Sequence, residues 1–471
     1  MADKIITRFP PSPTGAFQVG NARTALFNYL FAKQNSGSII LRFEDTDKAR
    51  STKESETDFF EGLEWLGLTL DGVYRQSERG LIYRRYIEKM IAEGSAYISD
   101  EIPKETAAVD KNRTENDEDE EGEWHDPLTG KKEIVRFKNP KKLVTFKDEV
   151  RGEISVDTTE LGDFIIAKGM EEPLYHLAVI IDDFEMGVTH IIRGEDGIYN
   201  TPRQILLQEA IGAPRPAYCH APFILGQDRK KLSKRHGTGA VKELREKGYL
   251  AEALVNYLSL LGWNPGTEEE IFTLEELVKS FSFSGLQRAP AVFDIEKLNW
   301  FNREHLKRLP EETFMKLVKK WLPKEIQTLP EWSEERLKRL LPELRERATV
   351  LKDLRDAGAA GEFDYFFSSP IPDISTLIPK DTTRGEVIKH LSKTEEFLSA
   401  IPEENFTKES IKEAVWAYAG EKGRGKVLWP MRYALSAKMK SPDPFIIAYV
   451  LGKTETLKRI SAARELLSSG T

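Results

Sequence analysis

Two short apolar runs, "KIITRF" (Lys4 to Phe9) and "SIILRF" (Ser38 to Phe43), lie on either side of a stiff loop and one helix-length segment. Each run is fit for a buried strand, and a helix joining two such strands makes a β-α-β unit, so an open parallel sheet follows. The joining stretch "PPSPTGAFQVGNARTALFNYLF", Pro10 to Phe31, places three prolines and two glycines in its first eleven residues. Pro10, Pro11 and Pro13 hold the backbone extended, while Gly15 and Gly20 permit close approach or a positive φ. Asn21 is expected at the N-cap, with Ala22, Ala25, Leu26, Tyr29 and Leu30 following at helical spacing. The loop therefore ends at the positive end of a helix dipole, where anions bind.

A chain of 471 residues exceeds a single core and points to two to four domains, and 40% hydrophobic content is ample to fill them. There is no apolar run of eighteen residues and no secretory leader pattern, so a cytoplasmic protein without a membrane span is expected. The one cysteine, Cys219, and the seven scattered histidines offer no zinc spacing. The net charge of −8 seems to exclude a nucleic-acid partner, but seven carboxylates fall in one run, "ENDEDEEGE", Glu115 to Glu123, and the remainder is near −1. That run reads as a solvated loop that keeps its face away from phosphates.

A second unit repeats the first. "VTHIIRGED", Val188 to Asp196, ends in a charged cluster, and Asn200, Thr201 and Pro202 then start a helix. "GQDRKKLSKRHGTG", Gly226 to Gly239, sets Lys230, Lys231, Lys234, Arg235 and His236 between glycines. Taken singly, a basic loop is a solvated surface and a strand-end cluster is an ion pair. Together with a dipole-ended loop they fit a site that binds a nucleoside triphosphate above a sheet.

The blocks "RFPPSPTGAFQVGNARTALFNYLFA", "LRFEDTDKARS", "VYRQSER", "VIIDDFEMGVTHIIRGED", "NTPRQILLQEAIG", "KKLSKRHG" and "PAVFDIEKLNWFN" resemble, in order, those of glutamyl-tRNA synthetases, which are class I aminoacyl-tRNA synthetases. The resemblance is dense over 5–98 and 135–305 and weaker afterwards. It implies an α/β fold: a Rossmann-like parallel-sheet catalytic domain with an acceptor-binding insertion, then a stem-contact region and an all-α anticodon-binding half. The expected divisions are 1–96 and 169–216 for the two catalytic halves, 97–168 for the insertion, 217–308 for the KLSKR loop and stem-contact domain, and 309–471 for the helical region. The implied reaction joins L-glutamate to AMP, with ATP and Mg2+, and passes the glutamyl group to the terminal adenosine of tRNA(Glu), with tRNA(Gln) left open. No enzyme nucleophile is needed, so catalysis must come from positioning and from charge around the α-phosphate.

On matching positions the resemblance implies ATP contacts from Pro11, Ser12, Thr14, Gly15, Gln18, Gly20, Asn21, Glu195, Asp196, Lys231, Ser233 and Lys234, with Lys234, Lys231 and Gln18 as catalytic groups. Arg8 would face the side-chain carboxylate of glutamate with Ser12 and Tyr175, Glu44 the α-ammonium, and Arg193 the α-carboxylate. A guanidinium can hold a carboxylate by two parallel hydrogen bonds, whereas glutamine would set donor against donor at about 1–3 kcal/mol per unpaired buried group. Read alone, Arg8 is a strand-end surface arginine and Glu44 a turn cap.

Two departures stand out. Gln18 replaces the family's usual histidine and Asn21 its usual glycine, and an amide cannot carry the proton of an imidazolium. The insertion lacks the cysteines with which some relatives bind zinc, so no zinc is expected. From about Pro310 the pattern is helical, and Lys422, Arg424, Lys426, Arg432, Lys438 and Lys440 crowd around Trp429 and Tyr433. Arg424, Lys426, Trp429 and Arg432 are the expected tRNA contacts, by phosphate pairing and base stacking. The competing reading makes Trp429 and Tyr433, at i and i+4, helix-packing residues. A monomer is expected. The rival readings fit less well: a shorter tRNA-modifying relative lacks the helical half, glutaminyl-tRNA synthetase ends in β-barrels, a noncatalytic tRNA-binding module would not keep Arg8, Glu44, Arg193, Lys231 and Lys234 intact, and a simple adenylyltransferase has no use for the helical half.

Overall fold

The computed structural model describes residues 4–47, 50–99, 134–230 and 239–469. The chain divides into one unit made of Met1–Arg245 and Leu250–Phe301, and another made of Glu246–Tyr249 and Asn302–Thr471. No helix among the described residues is long and apolar enough to cross a membrane.

The first unit begins with β1 (Ile6–Phe9), α1 (Val19–Gln34), β2 (Ser38–Phe43), α2 (Lys53–Trp65) and β3 (Gly72–Arg75). β1 pairs with β2, and β2 with β3, all parallel, with Arg8 opposite Ile40. Every residue of β2 is buried, Arg42 included. The helix begins three residues before the position expected from Asn21 as N-cap. Its N-cap is Gln18, no side chain caps it, and Asn21 is exposed in the first turn. The buried Val19 explains the shift, because it anchors the turn in the core ahead of the polar residue.

Next come α3 (Gly80–Ala92), β4 (Ala96–Ser99), β5 (Ile134–Phe137), β6 (Leu143–Asp148), β7 (Gly152–Asp157), β8 (Phe164–Gly169), β9 (Glu172–Pro173), α4 (Tyr175–Glu185), β10 (His190–Gly194), α5 (Thr201–Ile211) and β11 (Ala217–Ala221). β10 and β11 run parallel, with Arg193 opposite His220. Thr189, just ahead of β10, donates its N–H to the Ile6 carbonyl at 2.9 Å and accepts the Ile6 N–H on its hydroxyl at 3.0 Å, which sets β1 beside β10. β6 lies parallel to β11 and forms an antiparallel hairpin with β7. β6 buries alternate residues, Val144, Phe146 and Asp148, and the Phe146 ring meets Tyr218 edge-on at 5.5 Å. β4, β5, β8 and β9 make a separate antiparallel sheet. Segment 97–168 thus supplies strands to both sheets.

β12 (Ile224–Leu225), α6 (Val241–Glu246), α7 (Ala251–Leu260), α8 (Leu274–Ser280), β13 (Ala291–Val292) and α9 (Ile295–Arg308) follow. The buried Arg23 of α1 donates to the carbonyls of Pro222 and Leu261 and fastens the chain ahead of β12 to α1.

Among its described residues the second unit is helical. Its helices include α10 (Glu311–Trp321), α11 (Glu334–Arg347), α12 (Arg384–Ser399), α13 (Lys408–Lys422), α14 (Arg424–Ser436), α15 (Pro444–Leu451) and α16 (Lys453–Ser469). α11 buries Leu337, Leu340, Leu341 and Leu344 at three- and four-residue spacing, and Thr383 with Glu386 forms a capping box on α12. The buried Arg459 of α16 ties the unit together, donating to the carbonyls of Tyr365 and Leu435 at 2.7 Å and Ser368 at 2.6 Å, and pairing with Glu455 and Glu331.

Candidate active site

The loop between β1 and α1 is pegged from below. Pro11, Pro13 and Phe17 are buried, while Ser12, Thr14 and Ala16 between them are exposed. The Phe17 ring lies 4.9 Å from Phe59 and 6.1 Å from Phe9, in space that only a glycine at position 62 leaves, since a Cβ there would fall 2.3 Å from Phe17 Cδ1. The carbonyls of Pro11 and Pro13 accept the N–H groups of Glu44 and Thr52 at 3.0 and 3.1 Å, and the Phe17 N–H donates to Asp58 at 2.6 Å. Polar groups on a pinned backbone at a helix N-terminus with no side-chain cap are of the kind that can hold an anion. Neither Gly15 nor Gly20 takes a positive φ; a Cβ on Gly20 would meet nothing within 4 Å among the described residues, leaving room for close approach.

This loop also meets the exit of the cationic stretch. The Val19 N–H donates to the Gly239 carbonyl at 2.8 Å, the Val241 N–H to the Phe17 carbonyl at 2.9 Å, and Gln18 and Ala240 form an antiparallel bridge. A Cβ on Gly239 would lie 2.4 Å from Gln18 Oε1, and the Gln18 amide donates to the Ala16 carbonyl at 3.3 Å. The entry is held by a bond from the Gly226 N–H to the Lys230 carbonyl at 2.8 Å. Lys231, Ser233, Lys234, Arg235 and His236 lie outside the described residues, as does the acidic run 115–123.

Beside the loop, the ends of β1, β2 and α4 bring five buried charges together. Arg8, 1% exposed, donates Nε to both Asp183 oxygens at 3.3 and 3.4 Å. Arg42, fully buried, donates to Asp183 at 2.6 Å and to Glu44 at 3.2 Å. Asp182 accepts from Gln76, Arg79 and Tyr83. Burial, reinforced by the fields of Arg42 and Arg193, pushes the Arg8 guanidinium down against Asp183. Burial also raises the Glu44 carboxyl to about 7 in spite of Arg42 and Arg8. Against the upward push of burial, Arg42 and Arg8 hold the Asp183 carboxyl below its usual range. Tyr175, at the start of α4, keeps 37% of its surface exposed, and its phenol is nonetheless raised, by loss of solvent around it and then by Glu44, with Arg193 and Arg8 opposing. These mutual fields connect Arg8, Glu44, Tyr175 and Arg193 in one cluster. Glu44 pairs with Arg42 instead of capping a turn.

Arg193 differs from Arg8. Its Nε donates to His220 Nε2 at 3.0 Å, and its Nη2 to the Gly197 carbonyl and the Thr201 hydroxyl, both at 2.9 Å. With one edge occupied, Arg193 cannot grip a carboxylate through Nε and Nη2 together. Only Nη1 is left, buried and without a hydrogen-bond partner among the described residues, as is Nη1 of Arg8. Such buried, orphaned donors call for an acceptor. Glu195 accepts the Phe223 N–H at 2.7 Å and pairs with Arg151, while Asp196 follows it in the turn after β10.

Arg42, Asp182, Asp183, Asp148 and His220 were not singled out by sequence reasoning. Their signal was a charged residue inside an otherwise apolar run, which a buried element tolerates only when paired.

In the helical unit, Trp429 is half-buried and donates its indole N–H to the Thr376 carbonyl at 2.9 Å, and its ring is parallel to that of the buried Tyr433. Arg432 covers Trp429 at 4.7 Å and donates to Ser441 and the carbonyls of Lys438 and Met439. These contacts are helix packing. Arg424 and Lys426 lie in the first turn of α14, and Arg424 stacks at 4.2 Å on Trp416, an exposed ring that the sequence reading passed over.

The family model for the catalytic domain of class I tRNA synthetases (E and Q) matches residues 4–300, and an anticodon-binding-domain model matches residues 313–464. A glutamate–tRNA ligase of Carboxydothermus hydrogenoformans is 39% identical, covering 96% of this chain and 98% of that protein. One from Aquifex aeolicus is 40% identical over 99% of this chain and its own full length. The crystal structure of a glutamate tRNA ligase from Elizabethkingia meningosepticum in complex with its amino acid superimposes with a TM-score of 0.80 at 33% identity, covering 99% of this chain and all of that one. A parallel-sheet catalytic unit and a helical unit, each matched over its length, establish that the chain belongs to the glutamate–tRNA ligases, class I aminoacyl-tRNA synthetases.

Proposed function

We propose that Arg8, Glu44, Tyr175 and Arg193 form the glutamate subsite of this ligase, which activates L-glutamate with ATP and transfers the glutamyl group to the 3′-terminal adenosine of tRNA(Glu). The observation that carries this reading is the pair of orphaned Nη1 groups, on Arg8 and Arg193, within one field-coupled cluster that also holds a carboxylate. A molecule with two carboxylates and one ammonium complements that set. Arg8, whose Nε is taken by Asp183, offers the far end of its guanidinium to the side-chain carboxylate, with Ser12 and Tyr175 beside it. Glutamine would turn its amide N–H groups toward those donors. Glu44, as an anion, faces the α-ammonium, and Arg193 directs the α-carboxylate toward ATP.

The uncapped first turn of α1, with Ser12, Thr14, Gly15 and Gln18, receives the triphosphate, and Lys231, Ser233 and Lys234 complete its shell. Mg2+ bound with ATP would add positive charge at the reacting phosphates, beside that of Lys231 and Lys234. One oxygen of the α-carboxylate attacks the α-phosphorus, and the bond to the bridging oxygen breaks and pyrophosphate leaves with its electron pair. The chain's own contribution is alignment and fixed positive charge.

Segment 97–168 is assigned to the acceptor end, 217–308 to the stem, and Arg424 and Lys426 to backbone phosphates of the anticodon arm. The enzyme acts as a cytoplasmic monomer. ATP–pyrophosphate exchange with glutamate or glutamine, with and without tRNA(Glu) or tRNA(Gln), tests the reading. Exchange should require glutamate, and Arg8→Gln should lower kcat/KM for glutamate at least about tenfold, the loss of one charged hydrogen bond. An Arg8→Gln enzyme with unchanged glutamate kinetics refutes the subsite.

A further inference from the structure

We propose that His220, backed by Asp148, is a positioning residue that aims Nη1 of Arg193 at the α-carboxylate of glutamate; this rests on the assignment of Arg193 above. Arg193 and His220 are cross-strand partners in β10 and β11, so both project from the same face of the sheet. An arginine Nε only donates, so His220 Nε2, 3.0 Å away, is the acceptor, and the ring proton must sit on Nδ1. That proton is donated to Asp148 Oδ2 at 2.7 Å. Asp148 is fixed in turn by the N–H groups of Val150, Arg151 and His220 at 2.9, 2.8 and 3.1 Å. His220 is wholly buried and Asp148 is 1% exposed. Burial, with Arg193 adding to it, holds the imidazole below its ordinary range despite Asp148, in keeping with a neutral ring.

The rest of the guanidinium is equally confined. Nη2 is held by Gly197 and Thr201, and a Cβ at position 197 would lie 2.3 Å from Nε, so a glycine there lets the side chain lie flat over the turn. The choice of imidazole has a chemical reason. A carboxylate in direct contact with Nε, as Asp183 is with Arg8, would spend part of the positive charge on the protein. A neutral ring fixes the geometry and leaves that charge for the substrate. Contact through Nη1 alone also engages one side of the α-carboxylate and leaves its other oxygen free to attack phosphorus.

The test uses the full-length enzyme in tRNA-dependent ATP–pyrophosphate exchange, with glutamate and ATP varied separately. His220→Asn retains an amide near Asp148 but is too short to reach Arg193, and should raise KM for glutamate at least about tenfold, the effect of one charged hydrogen bond, with KM for ATP within about twofold. His220→Gln sets an amide oxygen near the old Nε2 position and should stay within about threefold of the parent, because it restores that acceptor. Equal effects of the two variants, or parallel loss of glutamate and ATP binding in both, would make His220 a packing residue and overturn the proposal. Arg193→Gln separates the two layers of argument: if it leaves KM for glutamate unchanged, the subsite assignment itself fails, whereas a large effect there with none in His220→Asn defeats only the positioning role.

Discussion

Replacing Glu44 with glutamine should give an enzyme that is more stable and much slower to activate glutamate. In the folded chain the Glu44 carboxyl lies at about 7 against an ordinary 4.5, with burial as the main cause. The side chain is 8% exposed, so solvent screens it little. Holding it ionised therefore costs about 3 kcal/mol above pH 7. The sign follows from proton counts: between pH 4.5 and 7 the folded state binds more protons than the unfolded chain, so this group lowers stability as pH rises through that window. Glutamine removes the charge and keeps an oxygen to accept from Arg42 Nη2. Glu44→Gln should then melt higher at pH 8 by about 6 °C, taking roughly 2 °C per kcal/mol for a unit of this size, and the advantage should shrink to below about 2 °C at pH 5. Thermal unfolding at pH 5, 6 and 8 measures the difference, and pyrophosphate exchange at pH 8 should fall at least about tenfold for want of a partner for the α-ammonium. The parent's kcat/KM for glutamate should decline as pH drops through about 7, because that ratio follows the free enzyme's ionisations. A pH-independent stability difference, or a Glu44→Gln enzyme with normal KM for glutamate, would refute the reasoning.

Gln18→His should keep or raise the exchange rate, while Lys234→Ala should lower it at least about tenfold; unchanged steady-state rates in Lys234→Ala would remove the lysine from the phosphate shell. Gly62→Ala forces a Cβ to within 2.3 Å of the Phe17 ring and should destabilise by about 1–3 kcal/mol in denaturant titration, with KM for ATP rising more than KM for glutamate as the loop above is displaced. Arg459→Met strips three carbonyls and two carboxylates of their shared donor and should cost about 3–5 kcal/mol in the same titration; a loss below about 1 kcal/mol would show that water replaces the guanidinium.

What was legible in the sequence was what is encoded locally. The strands of the β-α-β units, the proline loop and the helical half follow from patterns a dozen residues long. The start of α1 lies three residues ahead of the expected one because a buried valine outweighs a polar capping residue. Around Trp429 the same mixture of aromatic and basic residues fits base stacking or helix packing, and the carbonyl 53 residues away that receives the indole N–H is announced by no local pattern. The candidate site shows the limit most clearly. Arg8 and Arg193 both read as arginines at the ends of apolar strands, and nothing near either says what will touch its Nε. The partner of Arg8 comes from 175 residues further on and is a carboxylate, and that of Arg193 is an imidazole on the neighbouring strand. That difference decides how much positive charge each retains for a ligand. On the proposed assignment it also divides the labour: a partly neutralised arginine recognises the distal carboxylate, while the one left with its full charge steers the carboxylate that has to react.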